Sequence, residues 1–497
     1  MIGASPLHPR DVAAAAWEGR HASLHPAAWA RIGAGHDTLL RLLAEGAPIY
    51  GVSTGLGAAV DTPLAPDPGR QRRVVLARMV AVGPSASPEQ VRATMVARLA
   101  GFAEGRSGVS PAVAGAYLAL LNSGVVPVMP LVGSVGQADL APLAHVAAPL
   151  AGAGEAVVDG LAQPGVHAMA QAGIPLPEFG PKDGLALVSS NAASVGLAAL
   201  ALAEAERLFG AWVAAAGLSL AGLRGNLSPL DPRAAALRPA PGQAAVAGAL
   251  RGMVDGCAGP GAPRRLQDPL SLRCLAPVLG ACLAALHGAT AAVALELNSS
   301  DDNPAVLAEH GCVLPNANFD PTHLVLALDT LGLAMARVAA AQGARVMRLM
   351  SPAATGLPRF LSPLEGRNGF ATVQKTASAL MAEAGQLAMP MPAYALPVAD
   401  GVEDCSTMAL STVRRVGAML DHLRALCAVE LMVAAQACDM QAGMALGPRA
   451  AAALAVVRAA VPPLHEDRPA APDIQALAGL VAAGQFSPYA ASLFEGA

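Results

Sequence analysis

Aromatic side chains are scarce in this chain, 3% of 497 residues, although 54% of the residues are hydrophobic. Sheets draw on aromatic and β-branched residues, so a chain rich in alanine and leucine is expected to be all-α. Lysine is nearly missing: Lys182 and Lys375 stand against 30 arginines, the rest of the 32 basic residues. A Schiff-base cofactor needs a lysine in a phosphate-binding setting, and neither position has one. Lys375, in TVQKTAS, stands alone on an apolar helical pattern. Charge of one sign is lacking too, since 32 basic and 36 acidic residues leave a net charge of -4. That balance offers no footprint for nucleic acid or an anionic membrane, and a small soluble partner is expected.

The common catalytic signatures are also missing. HExxH, GxSxG and Walker patterns do not occur, and Gly152 to Ala156, GAGEA, lacks the third glycine of a phosphate loop. The seven cysteines are odd in number and without CxxC or CxxH spacing. Neither a metal site nor a disulfide framework is therefore expected, and a reducing cytoplasm fits. The first residues show no basic region followed by an apolar run, so no secretory signal is expected. Two uncharged stretches, 184–203 and 274–295, have the length of membrane spans. The first carries Ser189, Ser190, Asn191 and Ser194 and the second His287, which suits buried bundle helices.

What the chain does have is organised around Gly133 to His145, GSVGQADLAPLAH. This loop resembles the active-site loop of the histidine, phenylalanine and tyrosine ammonia-lyase and aminomutase family, roughly GSVGASGDLAPLAH. In that family the Ala-Ser-Gly triplet cyclises to a methylidene-imidazolone, aided by a glycine amide with no Cβ beside it. Here Gln137-Ala138 replaces the triplet, one residue shorter, and Ser134 is followed by β-branched Val135, which obstructs the same closure. The methylidene-imidazolone is therefore expected to be absent, and no other cofactor or metal is implied.

Further segments carry the resemblance along nearly the whole chain, from about Pro48 to Val481. Tyr50 to Gly57, YGVSTGLG, resembles the family's YGVNTGFG, whose tyrosine takes the substrate's β-proton. A phenol is a weak base near neutral pH unless cations or amide donors surround it, so Tyr50 needs such neighbours; it has a plainer use as a packed ring. Arg78, in RQRRVVLARMVAVG, falls at the substrate-selecting position, where a guanidinium suits an anionic group or else pairs with a local acid. KDGLALVSSNAAS resembles KEGLALINGTQAS, with Ser189 in place of the asparagine that contacts substrate. QDPLSLRCLAPVLG resembles QDPYSLRCQPQVMG: Gln267 is kept, Arg273 would clamp a carboxylate, and Leu270 replaces a tyrosine of the catalytic machinery.

PNANFDP resembles the GNFHG segment, which puts Phe319 at the pocket or in plain packing, with Asp320 for the usual histidine. VEDCSTM resembles QEDHVSM, keeping Glu403 near the substrate amine, where paired acids also complement a helix start. The expected catalytic residues are thus Tyr50 and Glu403, and the expected substrate-binding residues Arg78, Gln137, Ser189, Gln267, Arg273 and Phe319.

Apolar residues at steps of three and four, such as Leu324, Leu328, Leu331, Met335 and Val338, mark long core helices. The resemblance implies a histidine ammonia-lyase-like fold: an N-terminal, mostly helical domain over 1–190 with the active-site loops, and a helical bundle over 191–497. It also implies a homotetramer with shared active sites and a small carboxylate substrate. The altered loop leads to an expected enzyme that works without the imidazolone, by base-assisted elimination, addition, cyclisation or isomerisation. A catalytically inactive, ligand-binding or partner subunit is the alternative, and a conventional histidine or aromatic amino acid ammonia-lyase is placed last.

Overall fold

A computed structural model describes residues 1–258, 263–391 and 396–495. Helices dominate among them, and the strands are short, as the alanine- and leucine-rich composition predicts. The chain forms two compact units. The first comprises Met1–Leu202, Thr290–Leu326 and Met391–Arg414, and the second Ala203–Ala289, Ala327–Pro390 and Arg415–Ala497.

The first unit begins with α1 (Pro9–Trp17), α2 (Pro26–Ala44), α3 (Arg70–Leu76), α4 (Pro88–Ala103) and α5 (Pro111–Asn122). All but α3 start on proline behind a side chain that caps the first turn: His8, His25, Ser87 and Ser110. Proline loses nothing there, because the N–H it lacks has no partner in a first turn. Ser87 and Gln90 complete a reciprocal capping box, the serine N–H donating to Gln90 Oε1 at 2.9 Å.

Helix α4 is buried on all sides from Ala93 to Ala103, and it buries Arg98 with them. An unpaired guanidinium at that depth would cost several kcal/mol. Arg98 therefore donates to Asp302 Oδ1 at 2.6 Å, both side chains being 0% exposed, and to Ala186 O at 2.9 Å. Lys182 Nζ, also buried, donates to Ser107 O at 2.6 Å. The Arg98 bonds tie α4 to α7 (Asp183–Val188) and to the 298–303 turn, and α6 (Leu140–Ala147) precedes α7 in the chain. A short antiparallel pair, Val82–Ser85 with Pro130–Val132, ends where the glycine-flanked loop begins, with Val82 opposite Val132.

Four long helices follow: α8 (Ala192–Leu223), α9 (Leu275–Leu297), α10 (Thr322–Leu349) and α11 (Ala409–Met440). The second unit contains most of α8, α10 and α11, and within it Arg345 meets Glu430 through two bonds of 2.6 and 2.9 Å. Ser219 Oγ donates to the same carboxylate at 2.7 Å, so one buried charge pair sets the register of three helices. The stretch Asp183–Leu223, α9 and α10 are long and apolar enough to cross a membrane by length and composition. The apolar window of the first is wholly buried in the protein, whereas those of the other two are half buried.

Candidate active site

A cavity of about 710 Å³ in the first unit is lined by Tyr50, Arg78, Gln137, Ser189, Phe319 and Glu403, six of the eight residues expected at the site. Leu56, Val60, Leu140, Leu185 and Val402 supply apolar wall. Gln267 and Arg273 are not among the lining residues. Both belong to the second unit, Gln267 exposed and Arg273 closing the short helix Leu270–Arg273. Lys375 is exposed on the helix Val373–Leu387 of that unit. A smaller cavity of about 360 Å³ in the second unit, beside Arg224 and Cys257, holds none of the expected residues.

The Tyr50 loop is held by a residue of α3. Gln71, buried, donates its amide to Gly51 O at 3.1 Å and accepts from Leu185 N at 3.0 Å, tying the loop to α7. Gly51 has φ +70, and a Cβ there would meet Leu56 and Leu185 within 2.8 Å, so the close approach needs glycine. Tyr50 Oη accepts the N–H of Gly57 at 3.0 Å. That is the amide donor a phenolic base requires, placed where negative charge develops when the proton leaves.

The 133–139 loop is pinned through Asp139. Its buried carboxylate accepts from Ser134 Oγ at 2.8 Å, from Ser194 N at 2.7 Å and from Ser194 Oγ at 3.1 Å. Asp139 thereby satisfies an N–H in the first turn of α8 that the helix itself cannot. Burial pushes its carboxyl pKa up against those bonds. From the other side Val135 O accepts the N–H groups of Thr407 and Met408 at 3.1 and 3.0 Å, and the Thr407 hydroxyl donates to Gly136 O. Gly136 has φ +77, and a Cβ on it would fall 2.6 Å from the backbone nitrogens of Met408 and Ala409. Glu403, a few residues earlier, is exposed and exchanges backbone bonds of 2.9 and 3.2 Å with Val398.

The altered KDGLALVSSNAAS motif does two jobs. Ser189 lines the cavity, while Ser190 Oγ and Asn191 N–H both donate to Asp301 Oδ2, at 2.9 and 2.5 Å. Asn191 also donates its amide to Phe319 O at 2.9 Å, which fixes the segment that brings Phe319 to the cavity. Arg78 is half-buried, and its guanidinium donates to Val74 O at 3.2 Å. Burial lowers its pKa, while Tyr50 and Glu403 favour its charge, so the cation faces both expected catalytic groups.

The profile described as "Aromatic amino acid lyase" matches residues 7–459. The chain belongs to the aromatic amino acid lyase family. Two members, each named histidine ammonia-lyase, are close in sequence. That of Aromatoleum aromaticum is 36% identical over 98% of this chain and 95% of its own, and that of Paracidovorax citrulli 37% identical over 95% and 94%. Among solved structures, the ergothioneine degrading enzyme ergothionase of Treponema denticola superimposes with a TM-score of 0.92, at 30% identity over 97% of this chain and 98% of that one.

Membership of the aromatic amino acid lyase family corrects the order of functions drawn from sequence. That order put an imidazolone-independent enzyme or an inactive homologue first and a conventional lyase last; relatives named histidine ammonia-lyase at 36 and 37% identity overturn it. The physical reason is one of weight. Two residues of one loop were set against a resemblance that runs through nearly the whole chain. Gln71, Asp139 and Thr407, which position the loops, were not singled out from sequence, although Asp139 stands in the DLAPLAH run that first marked the family.

Proposed function

We propose that the protein is a carbon–nitrogen lyase of imidazole amino acids, taking the α-amine and a β-proton from histidine or a near relative to leave the α,β-unsaturated acid. The reading is carried by six expected side chains gathered on one cavity, in a chain 36 and 37% identical to proteins named histidine ammonia-lyase. Tyr50 takes the β-proton, supported by the Gly57 N–H on its oxygen. Arg78 offers the open part of its fork to an anionic group of the substrate. Glu403 and Gln137 face the amine, and Phe319, Leu140 and Leu185 enclose the ring.

The loop does not fit the imidazolone of the resembling family. Gln137-Ala138 stands where that ring is made, and the Ser134 hydroxyl is bonded to Asp139. An intact mass equal to that of the unmodified chain, not short by two waters, is the expected result.

A second substrate has its own observation. The similar Treponema denticola protein degrades ergothioneine, itself an imidazole amino acid derivative, and the ring sulfur would give Arg78 a hydrogen-bond acceptor. Purified protein offered histidine and ergothioneine should release amine from one of them with the ultraviolet absorbance of a conjugated acid. Tyr50→Phe should slow that release on the order of 10²- to 10⁴-fold. Release from neither substrate would remove this reading.

We also infer a cytoplasmic homotetramer with shared active sites. Its support is the apolar surface left on α9 and α10, where Leu295, Leu326 and Leu333 are 55%, 60% and 49% exposed. The seven cysteines are free thiols, which suits a reducing compartment.

A further inference from the structure

Gln137 lines the cavity, and its amide is not free to turn. Nε2 donates to Asp320 Oδ2 at 2.8 Å. A carboxylate only accepts, so the group facing it must be the NH2, whichever way the amide would otherwise lie. The carboxylate is itself held: Oδ1 accepts the backbone N–H of Thr322 at 2.9 Å, in the first turn of α10. Burial pushes the Asp320 carboxyl up, but the bonds from Thr322 and Gln137 prevail and keep it below its ordinary value, so it is charged at neutral pH.

With NH2 committed to Asp320, the open atom of the Gln137 side chain is Oε1, an acceptor on a residue of the cavity wall. An acceptor fixed in direction suits a cationic N–H donor, and bonds of that kind are stronger than neutral ones. The structure assigns to Asp320 the role of a positioning residue, which holds the Gln137 amide so that Oε1 receives the ammonium group of the amino acid substrate. This assignment rests on the lyase reading above. It makes the pair an amine-receiving subsite, and it gives Asp320 a task that no substrate contact of its own would reveal.

The test is binding, read by calorimetry on the full-length protein in a Tyr50→Phe background so that substrate is not consumed. The probes are L-histidine, which bears the amine, and trans-urocanate, the imidazole acrylic acid that lacks it. Asp320→Asn lets the Gln137 amide take either orientation. Histidine affinity should fall about twofold, since only one of the two orientations presents Oε1, whereas Gln137→Met, which deletes the acceptor, should cost on the order of ten- to a hundredfold; urocanate affinity should be unchanged in both. Gln137→Glu combined with Asp320→Asn should recover histidine binding, because the asparagine NH2 holds one glutamate oxygen and the other faces the cavity.

Unchanged histidine affinity in Asp320→Asn, an equal loss for both probes, or no recovery in the double variant would each overturn the assignment while leaving the lyase reading standing. Binding of neither probe to the Tyr50→Phe protein would instead remove histidine as the substrate, and the assignment with it. Should Asp320→Asn fail to fold, the selective loss of histidine binding in Gln137→Met, which spares Asp320, is still required.

Discussion

Glu296 lies close enough to Asp301 and Asp320 to feel both charges. Burial first, and then those two neighbours, push its carboxyl up to about 7. Burial also raises Asp301 to about 6, with Arg98 lowering and Asp302 raising it. A carboxyl raised in the folded state holds a proton that the unfolded chain gives up, so for Glu296 stability falls as pH rises from about 4.5 to 7. Glu296→Gln removes that charge and should raise the Tm at pH 8 by roughly 2–3 °C. The gain should vanish near pH 4, where the carboxyl is neutral in both states; a gain of equal size at both pH values would contradict the account. Such neighbours are invisible in the sequence at this scale. ELNSSDDNP shows three acids close together, but not that Asp302 is paired with Arg98 while Asp301 is bonded by Ser190 and Asn191.

Between elements, close backbone approach decides more than side-chain type. The segment 403–408 lies against the 133–137 loop through Val135 O, Gly136 O and Thr407, with no room for a Cβ on Gly136. Gly136→Ala adds both a clash and the strain of a left-handed residue, which together should lower stability by about 1–3 kcal/mol. Because the same loop carries Gln137, amine release should fall with it; a variant with wild-type turnover and Tm would show that the contact is dispensable. In the second unit Glu430→Ala leaves Arg345 buried without its partner. A loss of about 3–5 kcal/mol in denaturant unfolding is expected, the usual result of breaking a buried pair from one side. The stripe Leu324 to Val338 was legible as a core helix, whereas Arg345 on the same helix gave no sign that its partner would come from α11.

For the whole molecule, the arginine and glutamine of QDPLSLR sit in the second unit and outside the lining of the cavity. If sites are shared in a homotetramer, Tyr50→Phe and Arg273→Ala should each be inactive, while a mixture unfolded and refolded together should regain part of the activity. A mixture as inactive as its components would argue against shared sites. Light scattering should give the mass of four chains, and Leu333→Glu, which places a charge on the half-exposed face of α10, should reduce it. An unchanged mass would show that this face is not between subunits.

Family membership, the helical class and six residues of the cavity wall were determined by the sequence alone, because they depend on local pattern. Loop motifs, proline-led helix starts and apolar periodicity are written in consecutive residues. Tertiary structure decided what those residues do to one another. Gln71 as the tie between the Tyr50 loop and α7, Asp139 as the anchor of the central loop, and Asp320 as the partner that turns Gln137 join positions 55 to 183 residues apart. A hydrogen bond between such distant positions leaves no periodicity and no spacing, so only the folded chain could show which polar groups met.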